Sequence, residues 1–137
     1  MMMFNYVAIL AAAVASWITG AIWYGVLGKP WMAALGWTSA DMADASGKRR
    51  MPVGPMVTSF IAELIMAAML SGIIFHMGGP NVRVGVISAA LIWLGFVVTT
   101  IAVNNAYQKR KLMLTVIDSG HWLAVLIVQG VVLGLIG

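Results

Sequence analysis

The sequence has no cysteine, so disulfides, thiolate metal sites and cysteine nucleophiles are excluded, and redox compartment is left open. Charge is also scarce. Only 9% of the 137 residues are Asp, Glu, Lys or Arg, against about 25% in a soluble domain. Acidic residues number four: Asp41, Asp44, Glu63 and Asp118. So few charges cannot coat the surface of a soluble domain, and lipid must cover it instead. Equally absent are a nucleophile elbow, an HExxH pair and a phosphate-binding loop. These absences disfavour catalysis and cofactor binding. The opening MMMFNY carries no basic stretch ahead of its apolar run, unlike a cleaved secretory signal, so the first run is read as a retained span.

What is present is hydrocarbon. Hydrophobic residues make up 62% of the chain, and mean hydropathy is +0.98. Four segments reach the roughly 20 apolar residues that a spanning helix needs: residues 4–27, 53–77, 82–105 and 112–136. Backbone groups in lipid must be satisfied within their own segment, and the runs are continuous rather than alternating, so helices are expected and a barrel is not. The expected fold is all-α: one integral-membrane four-helix bundle occupying residues 1–137.

The net charge is +4. It does not indicate nucleic-acid binding, because the basic residues sit between apolar segments. The connection 28–52 holds Lys29, Lys48, Arg49 and Arg50, and the third connection holds Lys109, Arg110 and Lys111. The second connection holds only Arg83. Basic residues favour the cytoplasmic side, so connections one and three are expected inside and both termini outside. Lys48, Arg49 and Arg50 also suit anionic lipid headgroups, although a topology signal alone accounts for them. Within 28–52, Pro30 suits a helix start, Gly36 a helix end, and Trp31 and Trp37 the headgroup layer. A short interfacial helix is expected there, followed by a second short helix through Asp41 and Asp44 capped by Thr38 or Ser39.

Ionisable residues inside apolar spans are costly and commonly mark function. Two acids qualify, Glu63 and Asp118. At 100° per residue, Asp118 and His121 share a face of the fourth helix, and Gln129 returns to it. Ser59 and Glu63 share a face of the second helix. Trp93, Thr100 and Asn104 form a stripe on the third. Asn5, Ser16 and Trp23 share a face of the first, near Thr19 and beside Tyr24. Turning all four stripes inward predicts a polar cluster in the cytoplasmic half, built on Glu63, Asp118, His121 and Asn104, with Thr100, Trp23 and Tyr24 beside it.

Such a cluster has several readings. It is a proton, ion or solute site if Glu63 and His121 exchange protons or hold a ligand. The spacing Asp-x-x-His admits two metal ligands, but His76, the only other histidine, lies at the far end of its helix. The bland reading is a hydrogen-bonded network that fixes helix packing. A lipid-modifying enzyme using Asp118 and His121 is the least supported. The spacings Gly130-x-x-x-Gly134 and Ala12-x-x-x-Ser16-x-x-x-Gly20 permit close helix approach, within one chain or between copies. Four short helices enclose little space, so a homo-oligomer is expected, with membrane lipid and another membrane protein as the remaining candidate partners. The eleven methionines read as adaptable packing.

Several stretches resemble one known family. They are Ile22-Trp23-Tyr24-Gly25, Gly28-Lys29-Pro30-Trp31-Met32 with Leu35-Gly36, Trp93-Leu94-Gly95-Phe96 with Thr99-Thr100 and Asn104, and Ile117-Asp118-Ser119-Gly120-His121-Trp122. Together they are similar to small bacterial membrane proteins catalogued as domain of unknown function seventeen sixty-one. The resemblance runs along nearly the whole chain. It implies four helices and a bacterial inner-membrane location, and it carries no activity. The expected function is therefore binding or conduction of a small solute, ion or lipid. The alternative is a non-catalytic accessory subunit.

Overall fold

A computed structural model describes residues 4–43, 46–47 and 52–137. Lys48, Arg49 and Arg50 lie outside the described residues. Four long helices run through the described chain: α1 (Tyr6–Leu35), α2 (Val53–His76), α3 (Val82–Tyr107) and α4 (Leu112–Ile136). Each is long and apolar enough to cross a membrane, and there is no strand among the described residues. The chain is a multi-pass membrane protein.

α1 runs well past the expected end at residue 27. Its 30 residues span about 45 Å at 1.5 Å rise, more than the roughly 30 Å of hydrocarbon. Pro30 lies inside it, not at the start of a second helix. The ring removes one donor, the one that would reach the Val26 carbonyl. Val26 and Pro30 are both exposed, so the disturbed face points away from the packed one. The helix stops at Gly36, whose φ of 77° suits a residue without a side chain. There Gly36 N–H donates to Ala33 O at 3.2 Å and Trp37 N–H to Met32 O at 2.9 Å. This pair of hydrogen bonds closes the helix C-terminus. Beyond it lies one 3-10 turn, Ser39–Met42. Thr38 donates its N–H and its hydroxyl to Asp41 Oδ2, at 2.6 and 3.0 Å. Those two bonds hold the Asp41 carboxyl below the usual carboxylate range. The separate short helix expected from Pro30 is therefore the last turn and a half of α1.

The remaining connections are tight. Gly78 and Gly79 turn the chain after α2, and Asn81 caps α3 by accepting from Val84 N–H at 2.8 Å. Asn5 caps α1 by accepting from Ala8 N–H, and its amide donates to Ile136 O at 3.1 Å. That bond ties the start of α1 to the end of α4.

α4 is the hub. It packs against all three other helices, whereas α1 and α3 do not pack on each other. α2 packs on α1 and on the first half of α3. Lipid tails are as apolar as leucine, so helix association rests on close fit rather than on escape from water. The core accordingly mixes small residues, Ala8, Ala12, Ala67 and Ala89, with Leu70, Leu126 and Leu133. At Gly85 and Gly130 the backbones of α3 and α4 meet directly, and a Cβ on either would overlap the other's carbonyl. A Cβ on Gly134 would lie 2.6 Å from the Val82 Cα. The Gly130/Gly134 spacing thus serves packing within the chain. Outward faces carry Val7, Ile18, Ile22, Ile61, Ile65 and Leu91, all suited to lipid.

α3 breaks its own regularity. Trp93–Val97 forms a π turn, which holds one residue more than an α turn. No residue from Trp93 to Tyr107 is buried, and this half of α3 packs only on α4.

Candidate functional site

The polar residues gather into two groups along α4, not one. The first lies mid-bundle. Gln129, fully buried, donates through Nε2 to Ser16 Oγ at 3.1 Å and to the Glu63 carbonyl at 2.9 Å. The Glu63 carboxyl faces the Ser16 hydroxyl. Three helices, α1, α2 and α4, are thereby joined across the centre. Among the described residues, Glu63 Oε1 and Gln129 Oε1 have no hydrogen-bond partner. Ser59 stands apart, accepting from the Trp17 indole at 3.2 Å.

The second group lies two to three turns back along α4, toward the Lys109–Lys111 loop. Tyr24 donates to Asp118 Oδ1 at 2.6 Å, and the Trp31 indole points to the same carboxyl. Two further indoles clamp α4 around this acid. Trp23 Nε1 donates to Ile117 O at 3.1 Å, and Trp93 Nε1 to Ser119 O at 2.7 Å. A Cβ on Gly120 would meet the Trp23 ring at 2.9 Å, so the small residue lets that ring lie against α4. His121 is buried beside Gly20, where an added Cβ would come within 2.7 Å of its Nε2. Its Nδ1 has no hydrogen-bond partner among the described residues.

Aromatic rings continue from Asp118 toward the end of α1. Trp37, Trp31, Tyr24, His121 and Trp122 form an unbroken series with centroids 4.6–5.5 Å apart. Successive planes are turned by 46–76°, as edge-to-face packing favours. Asp118 itself is only partly buried. An open, apolar groove of about 320 Å³ lies beside Trp23, lined also by Thr19, Ile22, Val26 and Leu27.

Of the residues that the sequence points to, Tyr24, Trp23, Asp118 and His121 come together. Glu63 belongs to the separate mid-bundle group. Among the described residues no three His, Asp or Glu converge as a metal ion would need, so Glu63, Asp118 and His121 do not form one ligand set. Thr100 and Asn104 are exposed on α3, and the Thr100 hydroxyl returns to its own helix at Phe96 O. The reason is the π turn. An extra residue in one turn delays everything after it by about 100°, so each later position takes the place expected of its predecessor. Asn105 rather than Asn104 accordingly reaches α4, donating to Thr115 Oγ1 at 3.1 Å. Ile101 replaces Thr100 on the half-buried face. The polar stripes alone do not single out Trp31 or Gly120 as site residues. Trp31 lies seven residues, or two turns, beyond Tyr24 on the same face, and that spacing is the signal the sequence offers for it.

The profile of one protein family, described as Protein of unknown function (DUF1761), matches residues 7–134. The chain belongs to this family. The DUF1761 match takes in all four helices and both polar groups. No curated protein and no solved structure matches the chain.

Proposed function

We propose that this DUF1761 protein is a non-catalytic, bacterial inner-membrane protein that binds a small solute or a lipid headgroup at the Asp118 site. One observation carries the reading. A carboxyl on a membrane-spanning helix is held by Tyr24, bordered by three tryptophans and His121, and left partly open. A group serving packing alone would be closed in, as Gln129 is. By the positive-inside rule the site faces the cytoplasm and both termini face outward. The loop Lys109–Lys111 precedes the same helix about two turns before Asp118, at the depth where anionic headgroups gather.

A second reading has support from α3. Thr99, Thr100 and Asn104 are exposed on an apolar helix, which suits contact with a second copy or another membrane protein. Native mass spectrometry from mild detergent tests both at once. Retained mass that Asp118→Asn removes, while copy number stays the same, supports the binding site. A bare protein in both forms overturns it. A fixed oligomer that Asn104→Ala dissociates supports the contact role.

A further inference from the structure

We propose that the Asp118 site binds an ammonium group, carried either by a lipid headgroup or by a soluble solute; this rests on the reading of Asp118 as a binding site. Three features select that chemistry. The first is charge. Among the described residues no Lys or Arg pairs with Asp118, and the groups that reach it are the neutral donors Tyr24 and Trp31. A carboxylate in a low-dielectric setting draws a counter-charge, and a ligand supplies it. The second is the wall. Tyr24 and Trp31 both reach the carboxyl and pack edge to face on each other, and Trp37 packs on Trp31 in turn, with planes turned by 68° and 76°. Aromatic side chains beside a carboxylate suit alkylated ammonium ions, which water solvates poorly and ring π systems attract. The third is donor economy. Among the described residues both groups that reach Asp118 are hydroxyl or indole donors, whereas a phosphate or carboxylate ligand calls for cationic side chains.

The site discriminates against two other classes. An anion meets the like charge of Asp118, which no Lys or Arg pairs among the described residues. A neutral alcohol of the same shape gains the aromatic contact and loses the charge pair. The cation–π contribution alone corresponds to a factor of a few in affinity, so Asp118 dominates the discrimination.

Proteoliposomes of phosphatidylglycerol containing the full chain test this, with tryptophan fluorescence as the readout. Choline is titrated against 3,3-dimethylbutan-1-ol, its uncharged isostere. Choline is expected to saturate a fluorescence change that the isostere does not produce. Asp118→Asn is expected to weaken choline binding at least tenfold, and Trp31→Ala several-fold. Trp31 lies in the last turns of α1, outside the core, so its loss leaves the fold intact and covers a failure of Asp118→Asn to assemble. A second set of vesicles contains phosphatidylcholine or phosphatidylethanolamine. A change already present there, and absent in Asp118→Asn, assigns the ammonium to a lipid headgroup. A response to free choline alone assigns it to a soluble solute. Equal binding of the isostere overturns the ammonium proposal and keeps a solute site. No response to any probe, with no mass retained in the native spectrum, overturns both.

Discussion

At the end of the bundle that holds the termini, α3 and α4 meet backbone to backbone at Gly85 and Gly130, and Asn5 ties α1 to Ile136. At the opposite end the same two helices are joined by side-chain hydrogen bonds, Trp93 to Ser119 and Asn105 to Thr115. The first contact leaves no room for anything between the helices. The second rests on side-chain hydrogen bonds. Close packing and polar bridges both hold helices together in lipid, but only the second commits polar side chains to the contact. The Asp118 site lies at the end built by bridges.

Four substitutions break or sharpen this contrast. The largest effect is expected from Gly130→Leu, which drives a side chain into the Gly85 backbone where no rotamer relieves it. A loss of about 3 kcal/mol is expected, read from unfolding in mixed detergent micelles. An unchanged midpoint would show that the helices do not approach this closely. Next comes Gln129→Leu, which strips donors from Ser16 and the Glu63 carbonyl. About 1 kcal/mol is expected in the same assay, with ligand binding retained, because the mid-bundle group is separate from Asp118. Loss of binding in this variant would join the two groups into one site.

Tyr24→Phe is expected to cost less, about 0.6 kcal/mol, an average interhelical hydrogen bond. Its effect on binding is expected to exceed its effect on stability, since the carboxyl loses its fixed partner. Binding that survives at full strength would show that Tyr24 does not position the acid. Asn104→Ala is expected to change stability by less than about 0.5 kcal/mol, as exposed positions do. A larger loss, or dissociation of an oligomer, would place Asn104 in a contact with another chain.

The fold is readable because lipid imposes a length on every span, and four long apolar runs leave few alternatives. The end of α1 is not readable, because Pro30 sits on an exposed face where a missing backbone bond is tolerated. Half of the site is readable from helical phase: Asp118 and His121 are three residues apart, and Tyr24 shares their depth. Phase misleads where the helix is not regular, and the Trp93–Val97 turn displaces Thr100 and Asn104 outward. Phase also groups Glu63 with Asp118, because facing and approximate depth do not reveal which neighbour a side chain meets. Only the packed bundle shows that Gln129 holds the Glu63 backbone.

The hub position of α4 has a consequence for how the molecule is made. Chains fold from the N-terminal end as they are synthesised. α1 and α2 pair with each other, and α3 can lean on α2 through its first half only. α1 and α3 share no packed surface, so their inward faces wait for α4, the last of the four to be made. Until then Trp23, Tyr24 and Trp93 lack their partners on Ile117, Asp118 and Ser119. The Asp118 site therefore exists only once the fourth helix has entered the membrane, and a chain interrupted before residue 112 leaves three helices without their common neighbour.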